Sequence, residues 1–128
     1  MTDPHARLEG IRVLVVDDDA DIREAMALAL RSEGATVEDA PDGSVASHLL
    51  AANRPDAMVL DLMLPGQSGF AVLERARAGP SPVPVVMVTA NLGQRHAEMA
   101  RSLGAAAYLV KPVPLARLVD AVVTAAGR

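Results

Sequence analysis

The stretch VLVVDDD, residues 13–19, places a run of aliphatic side chains directly before three aspartates. A short continuous apolar run of this kind is typical of a strand that is buried on both faces of a parallel sheet. After the aspartates the apolar period changes, because Ile22, Met26 and Leu30 recur every four residues until Gly34, as on one face of a helix with a glycine at its end. The stretch therefore predicts a strand, a polar turn and an amphipathic helix in succession.

The same alternation continues along the chain. Apolar runs predict strands at 11–16, 36–40, 57–60, 83–88 and 105–110, and helical periods predict helices near 22–30, 45–50, 69–78, 94–103 and 115–122. The run at 36–40 is the weakest and predicts an edge strand. Because a helix follows each strand, the connections must be crossovers between parallel strands, which are right-handed in nearly all cases. The pattern predicts an α/β fold of five alternating strand–helix units, with helices on both faces of one sheet.

The composition is that of an ordinary folded domain, and it excludes several functions. With 128 residues, 51% apolar and 22% charged, the chain has room for one domain. A formal net charge of -4 with scattered arginines argues against direct nucleic-acid binding, and the lack of cysteine excludes disulfides and thiolate chemistry. No apolar run is long enough for a signal peptide or a membrane span. We expect a soluble cytoplasmic protein without membrane association.

Polar residues stand where the predicted strands end. Aspartates 17–19 follow the first strand, Asp61 follows the third, Thr89 follows the fourth, and Lys111, the only lysine of the chain, follows the fifth. In open parallel sheets the ligand site lies beyond the carboxyl ends of the strands, near the point where the strand order reverses. We therefore expect these side chains to converge at one edge of the sheet.

The chemistry of these side chains points to phosphoryl transfer. Converging carboxylates repel one another and need a positive partner, and oxygen ligands without histidine or cysteine favour Mg²⁺, or Mn²⁺, over zinc. Lys111 adds a compact charge that can meet a carboxylate or a phosphoryl group, and Thr89 adds a hydroxyl donor. A metal, a cation, a hydroxyl donor and a carboxylate nucleophile are the parts needed to move a phosphoryl group.

Four stretches, in this order along the chain, resemble the receiver domains of bacterial two-component response regulators. They are VLVVDDD at 13–19, DLMLPGQSG at 61–69, VTA at 88–90 and GAAAYLVKP at 104–112. The resemblance covers about residues 11–125. It implies a flavodoxin-like, doubly wound sheet of five parallel strands in the order 2-1-3-4-5. It also implies a receiver domain over 11–126 after an N-terminal tail at 1–10, with no output domain in this chain.

The resemblance implies a phosphorylation chemistry centred on Asp61. This residue matches the phosphoacceptor, which takes its phosphoryl group from the phosphohistidine of a histidine kinase or a histidine phosphotransfer protein. The expected Mg²⁺ ligands are Asp17, Asp18, Asp61 and the backbone carbonyl of Met63. Lys111, Thr89 and Ala90 match the groups around the phosphoryl oxygens. Such a protein catalyses its own phosphorylation and dephosphorylation and is not a turnover enzyme.

The resemblance also implies a switch. Thr89 matches the hydroxyl that turns toward the attached phosphoryl group, and Tyr108 matches the aromatic side chain that moves inward with it. The surface that changes is the face of the fourth helix, fifth strand and fifth helix, which binds a downstream effector or output domain. The Lys111–Pro112 peptide bond is expected to be cis, and Met63 and Asn91 stand where receivers tune the lifetime of the phosphoryl group.

Two alternatives stay open. A haloacid dehalogenase-type aspartate phosphotransferase also uses an aspartate after a strand, but segment 17–21 lacks the Thr or Val that follows the spaced aspartates in that family. A receiver-like module that binds partners without phosphorylation normally lacks the acceptor, the acidic pair or the lysine, and none is missing here.

Some other residues receive a structural interpretation. Asp19 and Asp21 are expected to cap the first helix or to be solvated, and Phe70 is expected to be a core anchor of the third helix. Where many receivers have Phe after the Lys-Pro pair, this chain has Val113. Pro114 is expected to open the last helix in its first turn.

Overall fold

The computed structural model describes residues 6–90 and 93–128, and five strands alternate there with five helices. The elements are β1 (Arg12–Val16), α1 (Ala20–Arg31), β2 (Thr36–Ala40), α2 (Gly43–Ala52), β3 (Ala57–Leu60), α3 (Gly69–Arg77), β4 (Val85–Thr89), α4 (Gln94–Ser102), β5 (Ala107–Val110) and α5 (Leu115–Ala125). The predicted order of strands and helices is confirmed.

All neighbouring strands are parallel, and their order is β2-β1-β3-β4-β5. The predicted flavodoxin-like topology is therefore confirmed, including the edge position of β2. The chain runs outward from β1 to β2, returns past β1 to β3, and then continues in the other direction. The strand order thus reverses between β1 and β3, which is where such folds bind ligands.

Alternate residues of the buried strands belong to two apolar cores, one on each face of the sheet. In β1, Val13 and Val15 belong to the core covered by α1 and α5, whereas Leu14 and Val16 belong to the core covered by α2, α3 and α4. The two-residue period of a strand explains this division. It also explains why β1, β3 and β4 consist almost wholly of apolar residues: both of their faces are covered.

The apolar run at 105–110 is of the kind typical of a strand buried on both faces, but the fifth strand is not buried in that way. β5 lies at an edge of the sheet, where Leu109 is buried, Tyr108 is half-buried and Val110 is exposed. An apolar run identifies a strand but carries no information on whether the strand has one neighbour or two. The start of the fourth strand is also later than predicted, because Pro84 precedes it and has no backbone N–H for the ladder.

Three further expectations concern single residues. Asp19 caps α1 as predicted, since its carboxylate accepts hydrogen bonds from the backbone N–H groups of Asp21 and Ile22. Pro114 is the N-cap residue of α5, not a residue of its first turn, because its backbone is extended and helical geometry begins at Leu115. Phe70 is half-buried at the border of the core, so the prediction of a core anchor is only partly right.

Phe70 stacks on the ring of His96 in α4, with 6.0 Å between the ring centroids. The Lys111–Pro112 peptide bond is cis, as the resemblance implied. In the segment before β1, the Leu8 side chain is fully buried and its backbone N–H donates to the carbonyl of Glu33. No helix among the described residues is both long and apolar enough to cross a membrane.

Candidate functional site

The carboxyl ends of β1 and β3 bring two aspartates together. Val16 lies beside Leu60 in the sheet, and the backbone N–H of Asp61 donates to the carbonyl of Val16 at 3.0 Å. Asp17 and Asp61 therefore leave adjacent strands at the same level. Asp17 is fully buried and Asp61 is 5% exposed. Two buried carboxylates at such close quarters need a positive partner.

Lys111 supplies that partner. Its Nζ donates to Asp17 Oδ2 at 2.7 Å and to Asp61 Oδ2 at 2.9 Å, and its side chain is 17% exposed. Burial by itself lowers the pKa of Lys111, but the hydrogen bonds to Asp17 and Asp61 outweigh burial and raise the pKa above its ordinary 10.5. The ammonium group is therefore charged at neutral pH and links β5 to the two central strands.

The second oxygen of each buried carboxylate is bound by the loop that follows it. Asp17 Oδ1 accepts from the backbone N–H of Asp19 at 2.9 Å, and Asp61 Oδ1 accepts from the backbone N–H of Met63 at 3.0 Å. Each carboxylate is thus oriented on one side by its own loop and on the other by Lys111. Both loops follow strands directly, which is why residues adjacent in sequence can orient these groups.

Asp18 completes an acidic triplet. Its side chain is exposed, and one carboxylate oxygen from each of Asp17, Asp18 and Asp61 lies within 4.8 Å of the others. Three carboxylates and one ammonium leave a formal local charge of -2. The donor set consists of hard oxygen atoms, which suits Mg²⁺ or Mn²⁺. The residues present therefore fit a divalent cation.

Met63 lies beside this triplet with a 61% exposed side chain, and its backbone N–H points to Asp61. A coordinating role of its carbonyl stays a prediction. Ala90 is exposed directly after β4. Asn91 lies outside the described residues.

Thr89 lies on β4, which is next to β3, and Tyr108 lies on β5, the edge strand beyond β4. Thr89 is fully buried at the end of β4, and its carbonyl accepts from the backbone N–H of Lys111 at 2.9 Å. Tyr108 is half-buried on β5 and packs against the core beneath α2, α3 and α4. Burial raises the pKa of Tyr108, and the negative charge of Asp61 raises it further. The phenol is thus within electrostatic reach of Asp61.

Two residues at the site were not predicted to take part in it. Gly69 begins α3 against the loop after β3, where a Cβ atom would lie 2.5 Å from the carbonyl oxygen of Asp61. Arg23 of α1 donates from Nη1 to the backbone carbonyl of Asp17 at 2.8 Å and from Nε to Asp39 Oδ2 at 3.1 Å. A backbone carbonyl as partner leaves no mark in the sequence. The one available signal was Arg23 four residues after the cap, with an aspartate near the end of β2.

Comparisons with known proteins agree with this geometry. The profile of the response regulator receiver domain family matches residues 13–123. The response regulator MprA of Mycobacterium ulcerans is 38% identical over 109 residues, which are 85% of this chain and 47% of the relative. The chain thus spans about half the length of the curated relatives it matches.

Solved structures give the same result. The receiver domain of the Francisella response regulator 1452 superposes with a TM-score of 0.85 at 28% identity, covering 93% of this chain and 98% of the other. The signal receiver domain of the putative response regulator NarL from Mycobacterium tuberculosis gives 0.84 at 33% identity, with the same coverages.

The chain therefore belongs to the response regulator receiver domain family. This family serves phosphorylation-dependent signalling in two-component systems, in which response regulators interact with histidine kinases and output effectors. The chain accordingly belongs to a class of signalling domains and not to the typical turnover enzymes.

Proposed function

We propose that this domain accepts a phosphoryl group on Asp61 from the phosphohistidine of a histidine kinase or a histidine phosphotransfer protein, in a Mg²⁺-dependent reaction. The observation that carries the proposal is the bridge from Lys111 to Asp17 and Asp61, with Asp18 beside it. A structural ion pair needs one carboxylate for one ammonium. Three carboxylates around one ammonium leave an excess of negative charge that suits a divalent cation and a phosphoryl group.

In the proposed reaction an oxygen of Asp61 is the nucleophile. It forms a bond to phosphorus while the phosphorus–nitrogen bond of the donor breaks, and the electron pair of that bond returns to the imidazole. The N–H of Met63 holds Asp61 Oδ1, so the carboxylate is oriented before the donor arrives. When bound by Asp17, Asp18, Asp61 and the carbonyl of Met63, Mg²⁺ would neutralise negative charge on the phosphoryl oxygens.

Lys111 has two successive partners in this proposal. Before transfer its ammonium lies on Asp17 and Asp61, and after transfer it pairs with an oxygen of the attached phosphoryl group. Thr89, at the end of the neighbouring strand, donates its hydroxyl to a second oxygen, and the small side chain of Ala90 leaves room for the group. These donors offset charge that develops during transfer, and Thr89 and Asp61 are themselves buried.

The signal would leave the site through Thr89 and Tyr108. We propose that Thr89 turns toward the phosphoryl group and that Tyr108 moves inward with it, which changes the face formed by α4, β5 and α5 for a downstream effector or output domain. Two features support this route. Asp61 already acts electrostatically on Tyr108, and Ala100 is the only buried residue of α4, so that helix can shift at low cost.

Phosphorylation by a small-molecule donor tests the assignment of Asp61. The protein is incubated with acetyl phosphate and Mg²⁺, and intact mass spectrometry should show the addition of one phosphoryl group that alkali removes, as expected for an acyl phosphate. Asp61→Asn should abolish the addition, since an amide is not a nucleophile for this step. Chelation of the metal should have the same effect.

Asp21→Asn is the matched control, because Asp21 is an exposed aspartate of α1 outside the acidic triplet. This variant should be phosphorylated like the parent. Equal labelling of the parent and of Asp61→Asn would refute the assignment. A folded parent that is never labelled would favour a module that binds partners without phosphorylation.

A further inference from the structure

Arg23 joins the acidic end of β1 to the end of β2. Its Nη1 donates to the carbonyl oxygen of Asp17 at 2.8 Å, and its Nε donates to Asp39 Oδ2 at 3.1 Å. The Arg23 side chain is 19% exposed, whereas that of Asp39 is 47% exposed. Arg23 is thus more buried than Asp39, and its contact nearer the acidic site is to the backbone carbonyl of Asp17.

The carbonyl that Arg23 binds belongs to the peptide unit between Asp17 and Asp18. A peptide unit is planar, so a hydrogen bond to its oxygen fixes the orientation of the whole unit and of the Cα atoms at both ends. Those two Cα atoms carry the carboxylates that lie within 4.8 Å of Asp61. The next backbone N–H, that of Asp19, donates to Asp17 Oδ1, so the backbone after this peptide unit also holds the Asp17 carboxylate.

We propose that Arg23 is a positioning residue of the acidic pair: by holding the Asp17–Asp18 peptide unit, it keeps both carboxylates directed at Asp61 and thereby strengthens the binding of a divalent cation. The inference rests on the proposed Mg²⁺-dependent function and adds a residue that acts through the ligands without contacting the cation.

The positive charge of Arg23 weakens cation binding, whereas its positioning of the carboxylates strengthens it, so the two contributions must be separated. A guanidinium close to the site repels a cation, and Asp39 balances that charge. Replacing Arg23 alone would therefore remove both the hydrogen bond and a positive charge, and the two consequences oppose each other. The double variant Arg23→Gln/Asp39→Asn removes both charges together. It keeps the net charge of the protein and isolates the loss of positioning.

Arg31 provides a matched control on the same helix. Its Nη2 donates to the backbone carbonyl of Val37 at 3.1 Å, so it also links α1 to β2 through a guanidinium and a carbonyl. This contact lies toward the other end of α1 and does not involve the acidic loop. Arg31→Gln therefore removes another guanidinium-to-carbonyl hydrogen bond of α1 and leaves that between Arg23 and Asp17 in place.

Calorimetric titration of the full chain with Mg²⁺, without any phosphodonor, measures the expected difference. Arg23→Gln/Asp39→Asn should weaken Mg²⁺ binding about tenfold, the lower end of the range for loss of a group that orients a metal ligand. Arg31→Gln should stay within about twofold of the parent. Circular dichroism and urea unfolding verify that both variants are folded.

A second measurement reports directly on whether the Asp17 carboxylate is held in place. Hydrogen exchange of the Asp19 amide, observed by nuclear magnetic resonance in metal-free protein, should be faster in Arg23→Gln/Asp39→Asn and unchanged in Arg31→Gln, because this amide is bound by the Asp17 carboxylate. Unchanged exchange and parental Mg²⁺ affinity in the double variant would overturn the inference and leave the proposed function intact. A folded parent that binds no Mg²⁺ would instead overturn the proposed function, and the claimed effect on cation binding with it.

Discussion

Tyr108 offers a direct measurement of the charge at the site, because it is the only tyrosine of a chain without tryptophan. Its pKa is raised first by burial and then by the negative charge of Asp61. The folded protein therefore favours the neutral phenol. This contribution to stability is complete below pH 10.0, the ordinary pKa, and is lost as the pH rises through the pKa of the folded state.

We expect an ultraviolet absorbance titration of phenolate to give a midpoint above 10.0 in the folded protein. Asp61→Asn should lower the midpoint, since it removes the negative charge, but should leave it above 10.0 because the burial remains. Asp21→Asn, which removes an exposed charge on α1, should not move it. A midpoint that does not respond to Asp61→Asn would show that Tyr108 is beyond electrostatic reach of the Asp61 carboxylate.

The sequence predicted the individual site residues to different degrees. Asp17, Asp61 and Lys111 were predictable because each directly follows a strand, and parallel strands end at one edge. Their pairing in a single bridge was not, since the sequence left open whether Lys111 meets a carboxylate or a phosphoryl group. Arg23 was missed because its inner partner is a backbone carbonyl. No spacing of residue types reports such a contact.

At the level of elements, α3 begins beside the site and runs toward the amino ends of the strands. Each end of α3 is held by a contact to a backbone carbonyl. It begins at Gly69, against the carbonyl of Asp61. At its other end, Arg54 from the loop before β3 donates from Nη2 to the carbonyls of Ala76 at 2.6 Å and Ala78 at 3.2 Å. Ala76 lies in the last turn of α3 and Ala78 is its C-cap residue, where carbonyl groups lack donors from the helix itself.

Arg54→Ala should lower the free energy of unfolding by about 1–2 kcal/mol, because it removes charge-assisted hydrogen bonds from a partly solvated helix end. Urea denaturation measures the change. Arg101→Ala, which removes an exposed arginine in the last turn of α4, should change stability by no more than about 0.5 kcal/mol. Equal effects of the two substitutions would mean that the contacts of Arg54 are replaced by water without loss.

The bounds of two strands, the central strand β3 and the edge strand β2, were predicted correctly. The bounds of β3 and β2 agree with the apolar runs at 57–60 and 36–40. Errors arose where position in the sheet or a proline decided the outcome. β5 resembles a central strand in composition but lies at an edge, and the limits of β4 and α5 depend on Pro84 and Pro114. The backbone of a proline, not its hydrophobicity, fixes these boundaries.

At the scale of the whole molecule, the sheet divides the apolar residues into two cores, and the acidic triplet with Lys111 leaves a formal charge of -2 at the edge formed by the carboxyl ends of the strands. The strict alternation of strands and helices was sufficient to predict a parallel sheet with helices on both faces. It did not determine the strand order. The order 2-1-3-4-5 came from the resemblance to receiver domains, because several right-handed arrangements satisfy the same alternation.

The excess charge at that edge predicts how the whole fold responds to a cation. The triplet and Lys111 carry a formal charge of -2, and the triplet is assembled only in the folded state. Binding there stabilises the fold by mass action. At a Mg²⁺ concentration of about 100 times the dissociation constant, the thermal unfolding midpoint should rise by roughly 10 °C. Sodium chloride at equal ionic strength is the control for screening.

Asp18→Asn separates this effect from a general stabilisation by salt. Asp18 is exposed and is the least paired member of the triplet, so the substitution removes repulsion without breaking the bridge of Lys111. The variant should unfold at a higher temperature than the parent in a chelating buffer, yet gain much less from Mg²⁺. Asp21→Asn should retain the full Mg²⁺-dependent rise. If Asp18→Asn retained it too, the cation that stabilises the fold would have to bind somewhere other than the acidic triplet.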